Sequence, residues 1–355
     1  MKKTKKILLS GTHLTPALAL IDQLKKDKTY SWKIFYIGRN FNSSVSQNPS
    51  IESIQIPKLD IPFYGVNCGK LDRRWIFNTI KGLPQTFSAY FKARSILKKI
   101  KPHITVSFGG YVSVPVILAS KSLSIPSITH EQTPTLSLST RINSYFSDFT
   151  ALSFAKNTYS QKEILTGNLL RPQIYQTKSK FFEELNIKKP FIYITAGNQG
   201  SHSINTLIPK LAQKYPKLSF VHQTGAQEIG DYQKLQSKFK NYYPFDYIDT
   251  QDIGYVLNNA QIIISRSGAN TCQEIVALGK NSVLIPLLKS QQNEQEKNAL
   301  WVKDHLPQTQ IIKQDKLNLK SLSLNLEILL KQKAQVQKNN LKNNPKLLRL
   351  IHETI

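Results

Sequence analysis

The chain has 355 residues, which is too long for one ordinary domain and fits two domains of about 150 to 200 residues each. Its residues are 40% hydrophobic and 20% charged, a composition that excludes an intrinsically disordered protein. Lys and Arg number 48 against 22 Asp and Glu, so the formal net charge is +26. This charge indicates an anionic partner such as a phospholipid surface, a nucleic acid or a phosphorylated substrate; a bias toward Lys, Asn and Ile is the alternative explanation.

The beginning of the chain and its cysteines bear on the compartment. Four lysines within residues 2–6 precede the apolar run 7–9, but the polar residues 10–13 interrupt that run too early for a secretion signal. We therefore expect a basic tail that enters a buried strand. Cys68 and Cys272 are too few for a disulfide framework and fit a reducing cytosol. Since no run of about 18 apolar residues occurs, we expect any membrane contact to be peripheral.

Along the chain, short apolar runs rich in β-branched residues alternate with amphipathic stretches of helical length, which is typical of a parallel α/β sheet. The predicted strands of the first half are 6–10, 33–38, 53–57, 103–108, 126–129 and 150–154. Those of the second half are 191–195, 219–223, 246–248, 261–265, 282–286 and 309–312. A Lys-rich polar stretch at about 164–188 separates the halves. The pattern predicts an α/β protein of two Rossmann-like parallel-sheet domains, 1–165 and 166–335, followed by a helical tail at 336–355.

Several predicted strands end in turns of small residues that open a helix, at 10–12, 108–110, 196–200 and 266–269. In open α/β sheets, ligands bind at the carboxyl ends of strands, where helix N-termini offer backbone N–H groups to phosphates. One such turn is weak evidence because glycine is common there. Turns in both halves favour a phosphate-containing ligand in a cleft between two facing sheets.

Six motifs occur in a specific order. They are Gly109-Gly110-Tyr111-Val112-Ser113, His130-Glu131-Gln132, Gly167-Asn168 with Arg171, Ala196-Gly197-Asn198-Gln199-Gly200, Ser265-Arg266-Ser267-Gly268-Ala269 with Glu274, and 293–299. Over about residues 6–305 the chain thereby resembles the MurG family, transferases of glycosyltransferase family 28 that convert lipid I to lipid II in peptidoglycan synthesis. The resemblance implies a GT-B fold, inverting transfer of N-acetylglucosamine without a metal or cofactor, and a peripheral position on the cytoplasmic face of the cell membrane.

The resemblance assigns UDP-N-acetylglucosamine mainly to the second half. Glu274 matches the family's ribose-binding glutamate, and Arg171 is similar to its phosphate-contacting arginine. Arg266 either stabilises charge or braces its loop. Gln295 and Asn298 fall where the family reads the sugar hydroxyls, although Glu294 replaces a residue that is often His or Gln. The other donor-binding candidates are Asn198, Gln199, Gly200, Asn205, Ile248, Ser267, Gly268 and Ala269.

Metal chemistry has no motif in the sequence. There is no Asp-X-Asp triplet and no cluster of His and Cys ligands. Stabilisation of the leaving diphosphate therefore falls to Arg171 and to backbone N–H groups at helix starts.

The acceptor, a polyprenyl-diphosphate-linked sugar in this family, is expected on the first half. A general base must take the proton of its attacking hydroxyl, and His13 and Glu131 are the two candidates. The acceptor-binding candidates are Thr12, His13, Gly109, Gly110, Tyr111 and Thr133. The family's first turn reads roughly Gly-Gly-Thr-Gly-Gly-His, so Ser10-Gly11-Thr12-His13 is two glycines short. Thr133 and Thr140 also replace asparagines that are usual in the family.

The stretch 63–101 combines cations with aromatic residues, as expected at an anionic bilayer surface. Two amphipathic core helices with a solvated basic face are the alternative. In the resembling family this region docks on the membrane. Three other functions remain open: a GT-B enzyme with a different lipid or glycan acceptor, an inactive sugar-nucleotide-binding relative, and a basic nucleic-acid-binding protein. Specific nucleic-acid binding is not expected, since recognised motifs for it are scarce.

Overall fold

A computed structural model describes residues 2–41, 49–69, 76–155, 160–197, 199–225, 231–235, 239–288, 293–332 and 345–355, with backbone only at 76–83 and 233. The chain divides into two compact units, Met1–Arg171 with Asn343–Ile355, and Pro172–Lys342. The first unit runs past the predicted end at residue 165 because the backbone N–H groups of Thr166 and Gly167 both donate to the carbonyl of Leu152, at 3.0 Å each. The segment that follows its last strand therefore stays bound to the first sheet.

Each unit contains one parallel sheet. The strands are β1 Lys3–Ser10, β2 Tyr30–Gly38, β3 Phe63–Gly65, β4 Ile104–Ser107, β5 Ser127–Glu131, β6 Phe149–Leu152, β7 Glu163–Leu165, β8 Phe191–Thr195, β9 Phe220–Gln223, β10 Tyr242–Phe245, β11 Ala260–Ser265, β12 Asn281–Leu284 and β13 Gln310–Ile311. The described residues of the first unit form the order β3-β2-β1-β4-β5-β6-β7, and those of the second form β10-β9-β8-β11-β12-β13. The prediction of two Rossmann-like parallel-sheet domains is confirmed.

Helices connect the strands, as parallel pairing requires. They are α1 Leu14–Lys25, α2 Ile51–Gln55, α3 Ile76–Ile100, α4 Ser113–Ser122, α5 Leu138–Phe146, α6 Lys180–Glu184, α7 His202–Asn205, α8 Ile208–Lys214, α9 Asp231–Leu235, α10 Ile253–Asn259, α11 Ala269–Leu278, α12 Glu294–His305, α13 Leu319–Leu330 and α14 Lys346–Thr354. In register, Ser10 at the end of β1 lies opposite Ile37 of β2 and Ser107 of β4. The turns after β1 and β4 therefore emerge side by side at one sheet edge.

Two strand predictions were wrong, and one strand was missed. Residues 53–57 form α2 and the start of a 3-10 turn, because the Ser50 hydroxyl caps the helix by accepting from the N–H of Ser53 at 3.1 Å. The third strand is β3 instead. The strand expected at 246–248 lies earlier, at β10, and β7 was not predicted.

Helix α14 belongs to the core of the first unit. Leu347, Leu350 and Ile351 are at most 3% exposed and pack in one cluster with Ile7 and Leu20. Burying such side chains contributes about 1.5 to 3 kcal/mol each. The helix thus completes a core whose other residues come from the first part of the chain.

A buried carboxylate, that of Asp27, fixes α14 in register. It accepts hydrogen bonds from Trp32 Nε1 at 2.6 Å, from the N–H of Thr29 at 2.8 Å and from His352 Nε2 at 2.8 Å. Burial raises the pKa of Asp27, but the hydrogen bonds from Trp32, Thr29 and His352 outweigh it, so the pKa lies below its usual value. The ionised form is therefore favoured in the folded chain.

We expect Asp27→Ala to lower the free energy of unfolding by about 2 to 4 kcal/mol, because three donors lose their acceptor. A carboxylate with a lowered pKa stabilises the fold above its unfolded pKa of about 4, and the stabilisation is lost as the pH falls through the folded value. Urea unfolding at neutral pH and at about pH 2.5 should show the difference from wild type shrinking in acid. Asp22→Ala is the control, since Asp22 pairs with the exposed Lys26. An equal effect of both variants would contradict the prediction.

Candidate active site

The shortened first turn packs directly on the turn after β4. The N–H of Thr12 donates to the carbonyl of Gly109 at 3.2 Å, and the Tyr36 hydroxyl donates to the carbonyl of Gly11 at 2.9 Å. Gly11 has φ +135°, and a β-carbon there would lie 2.8 Å from the carbonyl oxygen of Gly109. The turn is therefore closed against its neighbour, and the N–H of Thr12 already has a partner within the protein.

The glycines after β4 permit this close approach. Gly109 and Gly110 have φ of +67° and +80°, and a β-carbon at Gly110 would lie 2.2 Å from the Thr12 hydroxyl. A β-carbon at Gly109 would lie 3.3 Å from the His13 ring. Tyr111, in contrast, packs against an apolar cluster that includes Leu8 and Val112. The structure thus brings Thr12, His13, Gly109 and Gly110 together, while Tyr111 supports them from the core.

His13 stands at the start of α1 in an extended conformation, and its side chain makes no capping hydrogen bond. Burial lowers its pKa; the Glu131 carboxylate opposes this and the Arg39 guanidinium reinforces it. A lowered pKa keeps the imidazole neutral near pH 7. Neutral imidazole is the form that can accept a proton.

Glu131, the other candidate base, ends β5 and is 3% exposed. Its carboxylate accepts from the N–H of Thr133 at 3.1 Å, the Thr133 hydroxyl at 2.8 Å and the N–H of Ser137 at 2.8 Å. These bonds order the loop 131–137, and Thr133 serves as a donor within it. Glu131 therefore shapes the loop 131–137 and places negative charge near His13.

The second unit contains a pocket of about 470 Å³ at the carboxyl ends of its strands. Its described lining includes five of the predicted donor residues, Gln199, Gly200, Arg266, Gly268 and Gln295, together with Ala196, Gly197, Ser201, His202, Ser203, Thr271, Leu287 and Gln314. Asn198 lies outside the described residues. The pocket lies at two of the glycine-rich turns for which a phosphate-containing ligand is predicted, 196–200 and 266–269; that ligand stays a prediction.

Arg266 braces this pocket. Its guanidinium is buried and donates to Ser201 Oγ at 2.7 Å, Ser203 Oγ at 3.1 Å, the carbonyl of Ile285 at 3.1 Å and the amide oxygen of Gln314. Burial lowers the pKa of Arg266. Because the ordinary pKa of a guanidinium is very high, Arg266 remains charged. Of the two roles left open by the sequence, bracing is the one these bonds describe.

Other donor candidates lie behind the pocket wall. Asn205 is fully buried, and its amide donates to the carbonyl of Thr224 and to Asp231, both at 2.9 Å. The N–H of Ile248 donates to Gln223, which in turn donates to the carbonyl of Gly197, each at 3.3 Å. These contacts support the turn; the side chain of Asn205 faces the interior rather than a ligand.

The helices α11 and α12 are joined through the Ser267 loop. The Ser267 hydroxyl donates to the carbonyl of Gln295 at 2.7 Å, and the Asn298 amide donates to the carbonyl of Ser267 at 3.0 Å. Asn298 is fully buried, and its Oδ1 has no partner among the described residues. Glu274 and Ala269, both on α11, are 3% and 8% exposed. Arg171 ends the stretch Met1–Arg171 of the first unit.

Comparison with known proteins decides the family. Residues 9–152 match the glycosyltransferase family 28 N-terminal domain, and residues 191–355 match the glycosyltransferase family 28 C-terminal domain. The UDP-N-acetylglucosamine--N-acetylmuramyl-(pentapeptide) pyrophosphoryl-undecaprenol N-acetylglucosamine transferase of Borreliella burgdorferi is 30% identical over 344 residues, which are 95% of this chain and 90% of that protein. The chain belongs to the MurG family of glycosyltransferase family 28.

Solved structures agree on the fold. MurG of Acinetobacter baumannii has a TM-score of 0.67 at 22% identity and covers 92% of this chain and 91% of its own. UDP-GlcNAc 2-epimerase of Methanocaldococcus jannaschii has a TM-score of 0.66 at 16% identity, over 98% and 99% of the two chains. The GT-B fold class and the MurG family membership predicted from six motifs are confirmed. Because an epimerase shares the fold, the reaction has to be argued from the residues.

Two residues of this MurG family member escaped the sequence prediction. Arg39 follows β2, pairs with the buried Glu52 at 2.9 Å and adds positive charge near His13. His202 lines the pocket of the second unit. Neither belongs to a motif, and their importance comes from contacts with Glu52 and Asp231 that residue spacing does not reveal. Within the described ranges, no three His, Cys, Asp or Glu side chains are grouped as metal ligands would be.

Proposed function

We propose that this chain transfers N-acetylglucosamine from UDP-N-acetylglucosamine to lipid I and so forms lipid II for peptidoglycan synthesis. The observation that carries the proposal is the 30% identity, over 95% of the chain, with a transferase named for that donor and that acceptor. The pocket lined by predicted donor residues is consistent with it. Incubating the pure protein with lipid I and radiolabelled donor tests the proposal, and absence of any lipid II would contradict it.

The second unit binds the donor in this proposal. Gln199, Gly200 and Gln295 reach the diphosphate and the sugar from the pocket wall, while Arg266 holds the wall through Ser201 and Ser203. Glu274 takes the ribose hydroxyls. Fixed donors of this kind stabilise the charge that the diphosphate gains as its bond to C1 breaks. No metal is required.

The first unit binds the acceptor and supplies the base. The acceptor hydroxyl attacks C1 of N-acetylglucosamine on the face opposite the diphosphate, so a new C–O bond forms as the C1–O bond to UDP breaks and the configuration inverts. His13 takes the hydroxyl proton, and UDP leaves with the electron pair. The neutral imidazole favoured by burial suits this role.

The closed first turn bears on how tightly the acceptor binds, and it favours a second candidate function in which the acceptor is different. The N–H of Thr12 is bonded to Gly109, and Pro16 removes another N–H from the first turn of α1. Fewer backbone donors then remain for an acceptor diphosphate than a longer glycine turn would offer. We therefore expect lipid I to turn over with a high KM. Donor binding without lipid I turnover would favour a different acceptor or an inactive relative.

Glu274→Ala should weaken UDP-N-acetylglucosamine binding by about 1.5 to 3 kcal/mol, the scale of a hydrogen bond to a charged group. Calorimetry with EDTA present measures this and also tests metal independence. Glu296→Ala is the control, because Glu296 is an exposed residue of α12. Unchanged affinity in Glu274→Ala, in a protein that melts like wild type, would remove Glu274 from the donor site.

We also propose a peripheral position on the cytoplasmic face of the cell membrane, with contact through α3. Phe87 and Phe91 are 63% and 64% exposed and lie four residues apart on one face, while Ala89, Ala93 and Leu97 are buried. The exposed Lys98 and Lys99 continue that helix. The cluster 70–75 of the predicted patch lies outside the described residues. Every helix in the described ranges is too short or too polar to cross a bilayer.

Phe87→Ser with Phe91→Ser should reduce binding to anionic vesicles by about tenfold or more, since two rings lose their place in the headgroup region. Co-sedimentation at rising salt separates the ionic contribution to vesicle binding, which salt screens, from the apolar contribution. Phe181→Ser is the control, because Phe181 is 48% exposed but belongs to the second unit. Equal sedimentation of the double variant and wild type would place the contact elsewhere.

A further inference from the structure

A buried chain of polar groups in the second unit ends at the donor pocket. The Tyr242 hydroxyl donates to His222 Nδ1 at 2.7 Å, and His222 Nε2 donates to Asn205 Oδ1 at 3.1 Å. Asn205 then donates to Asp231 at 2.9 Å. Burial lowers the pKa of His222 to about 3, with Asp231 opposing, so this ring is neutral and can both donate and accept. The chain of donors ends at the carboxylate of Asp231, which accepts from Asn205.

Asp231 also holds His202. Its oxygens lie 2.9 and 3.2 Å from His202 Nδ1, and its side chain is 4% exposed whereas that of His202 is 54% exposed. Because Nδ1–H is directed at the carboxylate, Nε2 is the ring nitrogen left to meet a ligand. His202 lines the same pocket as Gly197, Gly200 and Arg266. Burying four polar side chains is costly unless each is bonded, and here the bonded set fixes the orientation of one exposed imidazole.

We propose that His202, positioned by Asp231, donates a hydrogen bond from Nε2 to the diphosphate of a bound nucleoside diphosphate. The inference rests on the proposed use of a UDP-sugar. The pocket that His202 lines is also lined by Gly197, Gly200 and Arg266. A diphosphate bound beside the glycine-rich turn would therefore meet the imidazole N–H, and a hydrogen bond to a charged acceptor is stronger than one between neutral groups.

The test is calorimetry of UDP with the full chain at neutral pH. His202→Gln should bind UDP about tenfold more weakly than wild type, because the diphosphate loses one hydrogen-bond donor. His305→Gln, a change of an exposed histidine on α12, should leave UDP affinity unchanged.

Two further arms separate the role of His202 from others. Uridine, which lacks the diphosphate, should bind wild type and His202→Gln equally; an equal loss for uridine and UDP would overturn the assignment to the diphosphate. Asp231→Asn should weaken UDP binding and leave uridine binding unchanged, because the imidazole loses the carboxylate that orients it; unchanged UDP affinity would overturn the positioning role. Identical UDP binding by wild type and His202→Gln would overturn the inference and leave the proposed function standing. Failure of wild type to bind UDP would overturn both.

Discussion

His13→Ala should lower kcat for lipid II formation by about 10²-fold or more, because it removes the proposed base. His13 has a neutral imidazole and lies beside both glycine-containing turns, 10–12 and 108–110, and no other described side chain there combines these two properties. Steady-state kinetics with varied lipid I and saturating donor measure this. His103→Ala is the control, since His103 is an exposed histidine of the same unit that precedes β4. Glu131→Gln should act mainly on the lipid I KM, because the Glu131 carboxylate holds Thr133 and Ser137 in the loop.

The pH profile provides a second test of the same assignment. A base works only when deprotonated, so kcat/KM should fall in acid, with an apparent pKa below the usual value of about 6.5 because burial lowers that of His13. Arg39→Gln removes a nearby positive charge and should move the acid limb to higher pH. Undiminished turnover by His13→Ala would transfer the role of base to Glu131.

Gly200→Ala should destabilise the second unit by about 3 kcal/mol or more and abolish measurable UDP binding. Gly200 has φ +73°, and a β-carbon there would lie 1.9 Å from the carbonyl oxygen of Thr224. A collision with backbone cannot be relieved by rotating a side chain, so the turn must move. Thermal unfolding and calorimetry with UDP measure the two effects.

Two neighbouring glycines of the pocket separate collision from backbone strain. Gly197 has φ +75° with no atom within 4 Å of its added β-carbon, so Gly197→Ala should cost about 1 to 2 kcal/mol from strain alone. Gly268 has φ −66° and equally open space, so Gly268→Ala should stay within about 0.5 kcal/mol of wild type. A Gly200→Ala protein as stable as Gly268→Ala would refute the packing of this turn on Thr224.

The alternation of apolar runs and amphipathic stretches predicted the sheets well. A parallel strand that is buried on both faces has a nearly continuous apolar sequence, which is easy to recognise. It failed at 53–57, where a local Ser50 cap and the ion pair between Arg39 and Glu52 favour a helix. Tertiary contacts of this kind override a short apolar run. The strand β7 has only three residues and is held mainly by its neighbour β6.

Motif order predicted which residues gather at each sheet edge, yet it did not predict which of them face a ligand. Arg266 and Asn205 stand in ligand-binding motifs, and their side chains are bonded inside the protein. The direction of a side chain depends on partners distant in sequence, such as Gln314 and Asp231, so residue spacing alone leaves it open.

The contribution of α14 to the first core has a consequence for biosynthesis. During translation the apolar surface formed by Ile7, Leu20 and their neighbours stays uncovered until the segment 346–354 has left the ribosome, after the whole second unit has been made. The nascent first unit therefore waits for its last helix while the second unit can already fold. Premature termination shortly before residue 346 would expose an aggregation-prone surface on the first unit and leave the pocket of the second unit intact.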